Sequence, residues 1–232
     1  MNQRTKIILE AAIKEYIKEG EPVSSKELAK KYDFGVQAAS IRNELNTLTK
    51  EGFLTQPHTS GGRIPTDKGY QFFVENSLEN AVVSKKILGQ HNLKLNKGLR
   101  RGNFSDLIEG FAQESKLLGA GSENGQQVYK FGLDDLVSQL DVETKDDFYN
   151  IVRDFEMLDQ RLKEWGRQAL GDWANPQVFI GKRSPITKSE NLSVIMDCFD
   201  NGDHKILIAL IGPKRMDYEK NIKLFKSLHK EN

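Results

Sequence analysis

Residues 36–65, VQAASIRNELNTLTKEGFLTQPHTSGGRIP, constrain the fold of this chain more than any other stretch. At the 3.6-residue helical period, Ile41, Leu45 and Leu48 fall on one side, with Ala38 beside them. Ala39, Asn43, Asn46 and Lys50 fall on the other, flanked by Ser40, Thr47 and Arg42. The helix is expected over 37–51 and ends at Gly52. Phe53, Leu54 and Thr55 then favour a strand, Pro57 suits a sheet edge, and Gly61-Gly62 permit positive φ at a hairpin tip. Helix, strand, glycine tip and second strand in that order is the layout of a winged helix-turn-helix module.

The residues before it agree. Over 5–19, apolar side chains form two adjacent helical stripes: Ile8, Ala12 and Tyr16, and Leu9, Ile13 and Ile17. Gly20 stops that helix and Pro22 forbids its continuation. Ser24 or Ser25 caps a short second helix over 26–31, with Glu27 in its first turn. Asp33-Phe34-Gly35 makes the turn, and beyond the hairpin Thr66-Asp67 caps a fourth helix carrying Tyr70, Phe73, Val74 and Leu78.

The outer stripe of the third helix has what reading a major groove needs. Ala39 and Ser40 are small enough for close approach. Arg42 can fork onto guanine or a phosphate, and Asn43 can pair with adenine N6 and N7. Asn46 and Thr47 continue the stripe. His58, Thr59, Ser60, Gly61 and Arg63 form the wing, where hydroxyls and backbone N–H groups suit phosphates and Arg63 can enter a minor groove. Plainer readings stand beside these: a solvated polar face, an internal ion pair of Arg42 with Glu44 or Glu51, and a simple hairpin turn at the glycines.

No acid occurs between Glu79 and Asp106, while Lys85, Lys86, Lys94, Lys97, Arg100 and Arg101 do, so 79–103 reads as a basic linker. A second unit follows over 104–232. Leu107, Ile108 and Phe111 make a helical stripe, GAGSENGQ (119–126) reads as a loop, and 133–140 as another helical face. Phe148, Ile151, Val152, Phe155, Leu158, Leu162 and Trp165 mark a long helix. Three apolar runs, at 177–181, 193–199 and 205–212, read as strands before a last helix with Tyr218, Ile222, Phe225 and Leu228. The fold class is therefore α+β: a winged helix-turn-helix domain at 1–78, the linker, and an α/β domain with helices.

The formal charge of +1 does not announce a nucleic-acid binder, so any DNA contact must come from a local patch. No apolar run reaches the roughly 20 residues of a membrane span. The single cysteine, Cys198, sits in an apolar run, excludes an internal disulfide and fits a reducing cytoplasm. The four histidines are scattered without metal spacing, and no catalytic set converges, so neither enzyme chemistry nor a cofactor is expected. GPKRMDY (212–218) reads as a strand-to-helix turn more readily than as a ligand site.

The segments GEPVSSK (20–26), SIRNEL (40–45) and GFLTQPHTSGGRIPTDKGY (52–70) resemble the N-terminal domain of the HrcA-type heat-inducible transcription repressors. VFIGKRSPI (178–186) and GPKRMDYEKNI (212–222) resemble that family's C-terminal end. The resemblance implies a repressor of chaperone operons that binds an inverted-repeat operator as a homodimer. It further implies a GAF-like C-terminal domain carrying the dimer contacts, and activity linked to the chaperonin. This chain is shorter than is typical of that family, and its GAF-like sheet is expected to be reduced to three strands. A ligand-responsive regulator with a small-molecule site in the C-terminal domain remains the alternative.

Overall fold

Local signals set the first unit of the molecule. The computed structural model describes residues 1–58, 61–80, 102–142, 144–169, 173–200 and 204–229, in two compact units, Met1–Glu79 and Asn80–Asn232. The basic stretch 81–101 lies outside the described residues.

In the first unit, helix α1 (Gln3–Glu19) starts where Asn2 Oδ1 accepts the Thr5 N–H and stops at Gly20, whose φ of 74° is left-handed. Helix α2 (Ser25–Lys31) opens on a reciprocal cap: Ser24 accepts the Glu27 N–H while the Glu27 carboxylate accepts the Ser24 N–H. Helix α3 (Ala38–Lys50) buries Ile41, Leu45 and Leu48 fully and packs on α1 and α2, where Ile8, Leu9, Ile13 and Leu28 are fully buried too. Strands β1 (Leu54–Thr55) and β2 (Ile64–Pro65) pair antiparallel, and helix α4 (Asp67–Asn80) buries Tyr70, Phe73 and Val74. Glu15 is a buried acid between α1 and the end of α2. The Lys31 ammonium and the Tyr32 hydroxyl both donate to it, and the Lys31 bond holds its carboxyl below the usual range.

The hairpin is held by more than its own two strands. The Arg63 N–H donates to the Val23 carbonyl at 2.8 Å, and the Val23 N–H donates back at 2.9 Å. The chain ahead of α2 is therefore tied to the hairpin by one antiparallel bridge, at Val23 and Arg63. The expectation of positive φ at Gly62 is corrected here, because its backbone is not in that region. A Cβ on Gly62 would instead lie 2.3 Å from the Pro22 carbonyl oxygen, so glycine is needed for close approach. Gly62→Ala is expected to push the hairpin off the Pro22–Val23 segment and destabilise the first unit by about 1–3 kcal/mol. A thermal unfolding midpoint unchanged by this substitution would remove the close-approach account.

The second unit is built on a five-stranded antiparallel sheet, ordered β4-β3-β7-β6-β5. Helix α5 (Phe104–Ser115) precedes strands β3 (Leu118–Glu123) and β4 (Gln127–Phe131). Helices α6 (Leu133–Ser138) and α7 (Lys145–Gln168) follow, then β5 (Gln177–Ile180), a single 3-10 turn, β6 (Leu192–Asp200), β7 (Lys205–Pro213) and helix α8 (Tyr218–His229). Strands β6 and β7 are buried on both faces, which is why their sequences run apolar without alternation. On one face Phe111 of α5 meets Phe225 of α8 at a ring separation of 4.9 Å, and the Tyr218 hydroxyl donates to Ser193. On the other, Leu136, Leu158 and Leu162 of α6 and α7 pack on Leu118, Ala120, Val194, Met196, Leu207 and Ala209.

The expected three-strand sheet is thus corrected to five, and the stretch read as a loop, 119–126, is largely strand. Its glycines misled because they serve packing rather than turning. A Cβ on Gly121 would sit 2.6 Å from the Ile108 side chain, so the empty position lets α5 lie flat on β3. The true turn is Asn124-Gly125, with φ of 51° and 65°, the pair a tight hairpin of this twist demands. No described helix is long and apolar enough to cross a membrane.

Candidate nucleic-acid interface

The burial of Ile41, Leu45 and Leu48 turns the opposite stripe of α3 outward. Ala39, Ser40, Arg42, Asn43 and Thr47 are all exposed, and Asn46 is half-buried at the edge facing the hairpin. The six therefore share one face, as the helical period requires. The Thr47 hydroxyl donates back to the Asn43 carbonyl at 3.2 Å.

From the hairpin, His58 is exposed and Gly61 is half-buried, its N–H donated to the His58 carbonyl at 2.9 Å. The Gln56 side chain donates to the Gly61 carbonyl and braces the same turn. Thr59 and Ser60 lie outside the described residues.

Arg63 is placed differently from expectation. Its side chain is not extended from a wing tip. It lies half-buried against α3, with Nη2 donating to Asn46 Oδ1 at 2.5 Å. Its Nε is buried without a hydrogen-bond partner. Burial, and after it the positive charge of Arg42, press the Arg63 guanidinium below its ordinary range. Arg42 is near enough to act on the Arg63 charge, and no described carboxylate is ion-paired to either, a local excess of positive charge where a phosphate would be favoured.

The internal ion pair considered for Arg42 does not form. Glu44 is occupied by Arg4, at 2.8 Å, and by the Thr5 hydroxyl, at 2.7 Å. Those two bonds tie the middle of α3 to the start of α1 and hold the Glu44 carboxyl below its usual range, the Thr5 bond contributing most. Arg4 and Glu44 were not legible as a pair: 40 residues separate them and no local spacing joins them. Lys68 was also unanticipated. It caps the end of α3 by donating to the Glu51 carbonyl and lies 4.2 Å over the Phe53 ring. Among the described residues no group of three or more His, Cys, Asp and Glu side chains is placed to hold a metal ion. Cys198 is buried in the core of the second unit.

A family model described as the HrcA protein C terminal domain matches residues 73–222, more than half of the chain. A heat-inducible transcription repressor HrcA from Thermoanaerobacter sp. is 50% identical over 82 residues, which are 35% of this chain and 24% of that protein. Proteins of the same name from Thermodesulfovibrio yellowstonii and Clostridioides difficile are 38% identical over 126 residues and 39% identical over 118 residues. Each alignment covers 51% of this chain, and 36% and 33% of the relative. The chain thus aligns with well under two thirds of the length of these relatives. A crystal structure of a hypothetical protein matches with a TM-score of 0.73 at 19% identity, covering 99% of this chain and 97% of that one, a likeness of fold.

Proposed function

The chain belongs to the HrcA family, and on that premise we propose that it is a DNA-binding transcription repressor of heat-shock genes. In this reading residues 1–78 are a winged helix-turn-helix domain, with α3 in the major groove and the β1–β2 hairpin as the wing. The observation that carries it is the outer stripe of α3. Five exposed side chains, small or able to hydrogen-bond, stand opposite a fully buried stripe, beside a pair of arginines with no acid between them. The names of the curated relatives supply the rest: each is a heat-inducible repressor.

Recognition of an inverted repeat needs a two-fold assembly, which the second unit would provide through a GAF-like domain. The apolar stripe of α5 is unavailable for this, since Leu107, Ile108 and Phe111 are spent inside their own unit. The surface left over lies on α6, the connection after it, and the first turns of α7. Leu133, Val137, Val142, Phe148, Tyr149 and Val152 are its exposed large apolar side chains. Against the ligand-sensor alternative stands the packing of aliphatic and aromatic side chains between the sheet and α6–α7.

Asn43→Ala is expected to lose about 1–3 kcal/mol of discrimination at one base position while the fold is unaffected, because the side chain is exposed. A gel-shift series over single-base operator variants measures this. Unaltered affinity and unaltered base preference would mean that α3 does not read DNA.

A further inference from the structure

The bond between Arg63 and Asn46 admits only one chemical orientation. A guanidinium carries donors and no acceptor, so the Asn46 atom 2.5 Å from Arg63 Nη2 is the amide oxygen. The amide is therefore held one way round. Oδ1 is engaged by the hairpin, and Nδ2, with two hydrogens, is the end left for any other partner. Arg63 is in turn fixed at its backbone, where both polar groups pair with Val23, and along its side chain, where Nε is buried. Asn46 lies one helical turn beyond Asn43 on the outer stripe of α3.

On the DNA-binding reading above, we infer that Arg63 is a positioning residue that makes Asn46 a donor-only reader of an acceptor on a base edge. An unlocked asparagine pairs with adenine through one donor and one acceptor, N6 and N7. A locked one is turned away from that pairing, because its Oδ1 is directed at Arg63 of the hairpin and its Nδ2 lies on the opposite side of the amide. The base edge it suits is guanine, whose N7 and O6 are both acceptors. Asn43 differs: its side-chain amide makes no hydrogen bond among the described residues and keeps both capacities. The hairpin thus acts on sequence choice through α3, and Arg63 contributes specificity at one base pair instead of a uniform backbone attraction.

The test is selection of duplexes from a sequence-randomised pool by the full chain, its Asn46→Asp variant and its Arg63→Met variant, with thermal unfolding of each. Asn46→Asp keeps the oxygen that Arg63 holds and removes only the outward hydrogens. Arg63→Met releases the amide to turn. Both are expected to relax the preference for guanine by about tenfold at the same base pair and to leave the other positions as they were. A merely structural bond predicts that Asn46→Asp selects the same sequences as the unsubstituted chain, and that result overturns the inference. So does a loss spread evenly over all sequences, which marks phosphate contact, or relaxation at different base pairs in the two variants. If Arg63→Met unfolds, Asn46→Asp alone decides between these outcomes. Failure of the unsubstituted chain to retain any duplex sinks the DNA-binding reading together with the inference. Duplex binding with the guanine preference intact in both variants sinks the inference alone.

Discussion

Replacing Asp154 with alanine is expected to lower the unfolding free energy of the second unit by about 3–5 kcal/mol, the range for removing one partner of a buried charge pair. Asp154 lies on α7 and is 2% exposed, yet its carboxylate gathers four hydrogen bonds. Arg161 Nη1 donates at 2.6 Å, the Lys188 N–H donates to both oxygens at 2.8 Å, and the Ser189 N–H donates at 2.7 Å. Arg161 also reaches the Ile186 carbonyl at 3.0 Å, so one acid pins the irregular segment between β5 and β6 onto the long helix. Alanine would leave a poorly exposed guanidinium without its carboxylate partner, held only by the Ile186 carbonyl, and two backbone N–H groups without acceptors. Asp154→Asn should fall between, because an amide keeps one acceptor oxygen but turns an NH2 group toward donors. Chemical denaturation of the full chain gives the numbers. A midpoint for Asp154→Ala within about 0.5 kcal/mol of the unsubstituted chain, the scale of an ordinary surface change, would show that the anchor holds nothing.

The second large effect concerns assembly. Phe148→Glu combined with Tyr149→Glu is expected to leave the fold intact, since the two side chains are 61% and 63% exposed. On the repressor reading it should turn dimers into monomers and weaken operator binding by about 10²–10⁴-fold, the range gained when two half-site contacts are linked. Light scattering and operator titration on the same samples check both parts. Dimers that persist in the double variant place the two-fold contact elsewhere. Monomers that hold a palindromic operator as tightly as before remove the need for one.

Local pattern carried the helices well. The stripes of α1 and α3, the Ser24 cap with Glu27, and the stop at Gly20 are short-range features, decided by residues within one or two turns, and each appears where the spacing puts it. The long apolar runs of β6 and β7 were equally plain. What escaped were features whose cause lies far away in the chain. Gly119 and Gly121 carry the composition of a loop, but α5 presses on them, so a strand stands where a loop was expected. With β3 and β4 in place the sheet has five strands where three were expected. Gly62 was read for its φ, whereas the Pro22 backbone is what excludes a side chain there.

The sequence by itself determined which residues of α3 face inward and which face out, because a helix of fixed period leaves that choice to composition alone. It also determined the order of elements in the first unit and the family whose motifs the chain carries. Only the tertiary structure decided what the outward residues can do. Arg63 and Asn46 are 17 residues apart, and Arg4 and Glu44 are 40 apart. Neither pair has a spacing that any local rule could join. Their meeting depends on how the hairpin and α1 pack against α3, and that packing is set by apolar burial, which constrains distance without naming polar partners. Once packed, the one-sided chemistry of a guanidinium dictates which end of the Asn46 amide it holds, and the atom left over is what the surface can offer.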